Sequence, residues 1–368
     1  MREVPVFKFM ADPDLESGLR DAASRVLASQ RYVLGPEVAA FEEEFAQFCG
    51  ARECIGVASG TDALELALRA AGIAPGDRVA TVANAGYYAC AALDAIGAPP
   101  LFVDVDETLT MSPTALAAQL PGAKAVVVTH LYGHLADVDA IVAMASALGI
   151  PVIEDCAHAH GARRDAKHAG SFGTAGCFSF YPTKNLGALG DAGAVITSDP
   201  ALAARVRVLR QYGWRDKYQV DHPGGRNSRL DELQAAFLRV KLRRLNAANR
   251  ARVAIAERYC RGLRGLDVTL PEWHADDYVS HLFVVRVRDR SALRAHLATQ
   301  RIGTEIHYPI PDHRQPVRAL LPQAHLPLTE LACREVVTLP CYPGLASADV
   351  DRIVESVHAH YRTARVTQ

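Results

Sequence analysis

The chain has 368 residues, 49% hydrophobic, 22% charged and 7% aromatic, which supplies apolar material for a large core and predicts two or three domains rather than one small module. Its 40 Lys+Arg and 41 Asp+Glu are scattered along the sequence, which argues against a nucleic-acid partner. Apolar runs such as Ala125–Thr129 and Pro151–Ile153 fall far short of the roughly 20 residues that a membrane span needs.

The opening Met1-Arg-Glu-Val-Pro-Val-Phe-Lys-Phe9 interrupts any secretory core with charges and a proline. The eight Cys at 49, 54, 90, 156, 177, 260, 333 and 341 show no CxxC pair, so a cytoplasmic location with reduced, buried thiols is expected. Helical spacing at Leu15–Leu27 and Glu37–Cys49, around the turn Gly35-Pro36, predicts an N-terminal helical approach.

From Gly56 to Ser198 short apolar runs alternate with helical stretches, the pattern of a mainly parallel sheet covered on both faces. Strands are expected at Cys54–Ala58, Arg78–Val82, Leu101–Val105, Ala125–Thr129, Val152–Glu154, Cys177–Phe180 and Ala194–Thr197. Helices are expected at Ala63–Ala71, Tyr87–Ile96, Pro113–Leu120 and Val138–Leu148. Arg229 to Leu263 lacks an internal Pro or Gly before Gly262, which predicts one long helix or two abutting ones, with a domain boundary near residue 245. Beyond it, His281–Val287, Ser291–Gln300, Gly303–His307 and Ser347–Tyr361 alternate again, with Ser347 suited to an N-cap, and predict a smaller α+β domain.

Three segments carry chemistry. Ser59-Gly60-Thr61-Asp62 stands between a strand and an amphipathic helix, where free N–H groups and the helix dipole favour a phosphate, although simple capping would use the same residues. The nucleotide P-loop pattern is missing from it. Asp155 and His158 follow a buried strand, at the edge where open α/β sheets build their sites. Cys156, His158 and His160 alternate there, so a metal site is a competing reading, weakened because structural sites close with four ligands. Lys184 ends an apolar run just before the Gly-rich stretch Gly187–Gly193. A lysine there is a nucleophile if burial depresses its pKa.

Together these parts suit pyridoxal phosphate. The lysine amine would condense with the aldehyde, a carboxylate beside the pyridine nitrogen would keep it protonated, and the helix start would hold the phosphate. Gly60 and Thr61, Asp155 and Lys184 supply the three parts in chain order.

The sequence resembles the DegT-type nucleotide-sugar aminotransferases, over Tyr32–Val38, Ser59–Leu64, Pro75–Asp77, Phe102–Asp106, Glu154–Ala162, Ser179–Asp191, Gly225–Ala236 and His307–Pro311. The likeness is nearest to the subgroup acting on the 3-keto carbon of dTDP-6-deoxyhexoses, through Leu209–Trp214, Lys217-Tyr218 and Asn227–Asp231. It implies the type I fold of pyridoxal-phosphate enzymes. A large domain over residues 1–245 would hold a mostly parallel seven-stranded sheet, and a small α+β domain would occupy residues 246–368.

By the same resemblance Lys184 would bind the cofactor and shuttle the proton. Asp155 would meet the ring nitrogen, His158 the ring hydroxyl, and Gly60, Thr61 and Ser179 the phosphate. Either Tyr87 or Tyr88 would stack on the ring, and Asn227 would reach the phosphate from a second subunit of a homodimer with shared sites. Arg226, Arg229, His307 and Tyr308 would meet the sugar or its diphosphate. Ala192 replaces the glycine that usually follows the aspartate of Asp191-Ala-Gly193, which a negative φ would accommodate. Related dehydratases carry histidine in place of Lys184.

The resulting expectation is a transfer from L-glutamate to C3 of a dTDP-linked keto sugar. The alternatives are amination at C4 or of a keto-cyclitol, a regulator that only senses a ligand, and a metal hydrolase on Cys156, His158 and His160.

Overall fold

A computed structural model of the chain describes residues 2–9, 12–320 and 324–366; Met1 and Thr367–Gln368, the outermost residues of the two expected domain ranges, lie outside it. Seven strands form the central sheet, in the order Glu53–Val57, Gly193–Thr197, Ala175–Ser179, Val152–Asp155, Ala125–Thr129, Val79–Thr81 and Pro100–Phe102. Gly193–Thr197 runs antiparallel to both neighbours, and every other pairing in the sheet beyond it is parallel. Parallel strands must be covered on both faces, and all five residues of Ala125–Thr129 are buried.

One face packs the helices Gly60–Ala70, Tyr88–Ile96 and Pro200–Leu209 around Leu66, Leu93 and Val206. The opposite face receives Phe41 and Phe45 of the helix Pro36–Cys49, which meet Phe178 and Phe180 edge to face. Pro36 and Gly50 bound that helix, a φ of 68° at Gly50 ending it in the left-handed region that glycine enters freely. Its N-terminal N–H groups lack a local cap and are taken by a distant side chain. Glu232 accepts from Gly35 at 2.7 Å, Val38 at 2.8 Å and Glu37 at 2.9 Å.

Arg229–Leu263 resolves into two abutting helices, Glu232–Leu242 and Leu245–Leu263, with the break at Arg243-Arg244. The second helix begins in the core of the large unit at Leu245 and ends in that of the C-terminal unit at Ala256, Tyr259 and Leu263. There an antiparallel pair, Phe283–Arg286 with Val336–Leu339, packs against the helices Arg290–Thr299 and Ser347–Val366. Gly303–His307 is mostly loop and contributes a single bridge, Glu305 to Thr338.

The first residues depart from the expected division. Val4 bridges Ile302, donates to Arg301 O at 2.9 Å, accepts from Gly303 N at 2.8 Å, and packs with Tyr259 and Phe283. By contact, the segment around Val4 therefore belongs with the C-terminal unit.

Candidate active site

A cavity of about 630 Å³ opens at the carboxyl ends of the parallel strands, between the sheet and the C-terminal unit. Open α/β sheets place their ligands in this crevice because strand ends and helix starts converge there. Asp155 ends one strand, Ser179 ends its neighbour, and Lys184 follows on the turn that leads into Gly193–Thr197.

Ser59 caps the helix Gly60–Ala70, its Oγ accepting from Asp62 N at 3.1 Å. The N–H groups of Gly60 and Thr61 precede the first intrahelical bond and border the cavity. Gly60 touches the strand end so closely that an added Cβ would lie 2.5 Å from Cβ of Ser179. The floor therefore presents the N–H groups of Gly60 and Thr61 and the hydroxyls of Thr61 and Ser179.

Lys184 is half-buried in the cavity wall, and desolvation draws its pKa down to about 8 while the Asp155 carboxylate opposes the shift. Asp155 is 5% exposed, and burial raises its own pKa against a hydrogen bond from Ala157 N at 3.1 Å and the charge of Lys184. His158 is buried, and desolvation first and Lys184 second push its pKa well below the usual imidazole range. Its Nδ1 accepts from Tyr132 N at 3.2 Å, which leaves the neutral ring with its proton on Nε2.

Tyr88 lines the cavity and meets Tyr308 edge to face, with ring centres 6.1 Å apart. Tyr87 turns away. Its hydroxyl donates to Asp94 Oδ2 at 2.7 Å, its ring lies under Arg318, and its N–H donates to Asp312 Oδ1 at 2.9 Å. Its φ of 71° explains why two adjacent tyrosines diverge. His307 and Tyr308 line the same cavity. His307 shares a hydrogen bond of 2.8 Å with Thr338 Oγ1, and burial lowers its pKa to about 4. Ala192 is buried and does not take a positive φ, so the position tolerates it in place of glycine.

Besides Tyr87, three expected site residues lie away from their own chain's cavity. Arg226 is bound by Glu65 and by Asp62 Oδ1, the latter at 3.3 Å, both on the helix Gly60–Ala70. Asn227 is exposed and bridges Gln211, and Arg229 is half-buried nearby. Cys156, His158 and His160 do not bring their ligand atoms together: among the described residues the one such cluster is His130, Glu154 and Cys156. In that cluster Glu154 already accepts from Gly170 N, Phe172 N, Gly173 N and His130 Nε2.

The cavity also holds residues that the sequence reading missed, namely Val6, Phe7, His281, Glu305 and Thr338. The one available signal was the polar His281 opening an otherwise apolar run.

The decisive comparison is with the family model described as the DegT/DnrJ/EryC1/StrS aminotransferase family, which matches residues 13–358. The chain belongs to that family. It is 44% identical over 342 residues to the dTDP-3-amino-3,4,6-trideoxy-alpha-D-glucose transaminase of Streptomyces venezuelae, covering 91% of this chain and 90% of that one. It is 45% identical over 345 residues to the dTDP-3-amino-3,6-dideoxy-alpha-D-galactopyranose transaminase of Aneurinibacillus thermoaerophilus, covering 93% and 95%. The crystal structure of ntda from Bacillus subtilis with bound cofactor PMP matches with a TM-score of 0.91 at 30% identity, over 98% of this chain and 86% of that one.

The cofactor of such an aminotransferase is pyridoxal phosphate, and the residues present fit it. The Gly60–Ser179 contact leaves a cradle of N–H and hydroxyl donors, a buried carboxylate stands at Asp155, and the Lys184 amine has a depressed pKa.

Proposed function

We propose that the protein transfers an amino group from L-glutamate to C3 of a dTDP-linked 3-keto-6-deoxyhexose, as a homodimer with shared active sites. The observation that carries this reading is the convergence of Lys184 and Asp155 on one cavity whose floor is the start of the helix Gly60–Ala70. The 3-amino products in the names of two relatives above 40% identity support the choice of carbon.

When bound, pyridoxal phosphate supplies an electron sink for the carbon that gains or loses nitrogen. Gly60, Thr61 and Ser179 would hold its phosphate, and the Asp155 carboxylate would keep the pyridine nitrogen protonated. Nε2–H of His158 would donate to the ring hydroxyl, and Tyr88 would cover the ring face. Lys184 would bind the aldehyde and, once released by substrate, move the proton between cofactor and sugar carbon. His307 and Tyr308 would contact the sugar. Two half reactions sharing one amine predict ping-pong kinetics.

Asn227 and Arg229 would serve the neighbouring subunit, which accounts for their distance from their own cavity. Exposed Tyr32, Val33, Leu189, Tyr212 and Val220 offer apolar surface for such contact. Tyr212 N donates to Arg226 O at 3.1 Å, so this surface continues into the segment that would cross.

The test is to incubate the purified protein with glutamate and a panel of dTDP-3-keto, dTDP-4-keto and inosose-type ketones, reading products by mass. Amination of the 3-keto sugar is expected, and amination only of the others would overturn the assignment. For sharing, mixed dimers of inactive K184A and N227A chains should regain activity through one intact site.

A further inference from the structure

Asn185, the residue after Lys184, ties the catalytic turn to the C-terminal unit. Its Nδ2 donates to Val279 O at 3.1 Å and to Asn249 Oδ1 at 2.9 Å. A carbonyl oxygen only accepts, so the contact with Val279 fixes the amide orientation and leaves Oδ1 facing His281 Nδ1 at 3.0 Å. The same logic then fixes the imidazole. Nδ1 of His281 donates, and its Nε2 carries the lone pair.

The tie is anchored at both ends. Asn249, on the helix Leu245–Leu263, donates to His160 O at 2.7 Å. Arg252, one turn further along that helix, donates to His281 O at 3.2 Å and to Cys341 O at 2.6 Å. The His281 ring packs on the His158 ring, with centres 4.4 Å apart. Gly133 allows this approach: a Cβ there would lie 2.9 Å from His158 O and 3.0 Å from His281 N.

We propose that His281 is a positioning residue for Lys184, acting through Asn185 to hold the lysine amine at the cavity wall beside Asp155. This rests on the reading of Lys184 as the reactive amine. The groups coupled by charge to that amine are Asp155, His158, His160, His281 and His307, and Asp191, Glu305, Tyr88, Tyr181, Tyr308 and Cys341 also line the cavity. Burial holds all four imidazoles neutral at physiological pH, so replacing His281 removes no charge. A change in the titration of Lys184 would therefore report where the amine sits.

The test compares H281N, H281Q and N185A in the full-length protein. Asparagine can place a donor near Nδ1 and keep the bond to Asn185, whereas glutamine reaches toward Nε2 and forfeits it. With cofactor removed, trace acetylation across pH, read on the Lys184 peptide by mass, gives the titration of that amine. H281Q and N185A are expected to raise its pKa from about 8 by about one unit, toward an ordinary lysine. In the loaded enzyme the same variants should lower kcat about tenfold with little change in KM, and H281N should recover most of both effects.

An unchanged Lys184 titration in H281Q and N185A overturns the proposal, as does an H281N variant as impaired as H281Q. Should N185A fail to fold, the H281N and H281Q pair decides the matter. A shifted titration in a protein that aminates no acceptor would instead overturn the functional reading and leave the positioning role standing.

Discussion

The backbone N–H of Tyr132 and Nδ1 of His158 are joined by a hydrogen bond of 3.2 Å, deep in the wall of the cavity. Because Tyr132 holds this nitrogen as an acceptor, His158 offers a ligand one donor, Nε2–H. Replacement by leucine should lower kcat/KM about 10- to 100-fold, the worth of a hydrogen bond to a charged group. Glutamine, which can set an amide donor near Nε2, should recover part of that loss. Steady-state kinetics, with the visible absorbance of the bound cofactor alongside, would check both.

The amine of Lys184 titrates at about 8, below an ordinary lysine, chiefly because it is desolvated. An amine attacks an aldehyde only as the free base, which accumulates above its pKa. The rate at which cofactor-free protein takes up pyridoxal phosphate should therefore rise about tenfold between pH 6 and pH 7 and level off beyond about pH 8. Stopped-flow absorbance would follow it. K184R should abolish covalent uptake and cut turnover by about 10²-fold or more.

Tyr88 and Tyr87 separate by experiment. Y88L should weaken cofactor retention about threefold to tenfold through the loss of an aromatic face, measured by equilibrium dialysis. Y87F loses the hydroxyl bond to Asp94, an exposed contact worth less than about 1 kcal/mol. It should lower the urea midpoint slightly and leave turnover close to that of the parent protein.

Glu232 is fully buried and accepts three N–H groups at the start of the helix Pro36–Cys49. E232A would strand those donors and should destabilise the protein by about 2–4 kcal/mol. Glutamine keeps one acceptor oxygen and should cost less. Urea unfolding of the two variants side by side would rank them.

The seven strands were legible because each is a short apolar run closed by polar or glycine residues, and all seven begin within two residues of the expected position. The reversed direction of Gly193–Thr197 was not legible from an apolar run, which reads the same for either strand direction. Asp155 and Ser179 end strands and Gly60 and Lys184 follow strand ends within a few residues, so their motifs carried them to the cavity. His281, Glu305 and Thr338 come from distant segments of the C-terminal unit and meet the site only through tertiary packing. That Tyr88 and not Tyr87 lines the cavity follows from a left-handed backbone at a non-glycine residue, which propensity disfavours.

The zippering of Val4 onto Arg301 and Gly303 has a practical side. It lays Val6 and Phe7 along the cavity wall, so trimming the first nine residues would leave Lys184 intact yet strip part of the lining that faces it. A purification handle placed just ahead of this stretch would crowd the doorway, and acceptor preference measured with such a handle should be repeated after its removal.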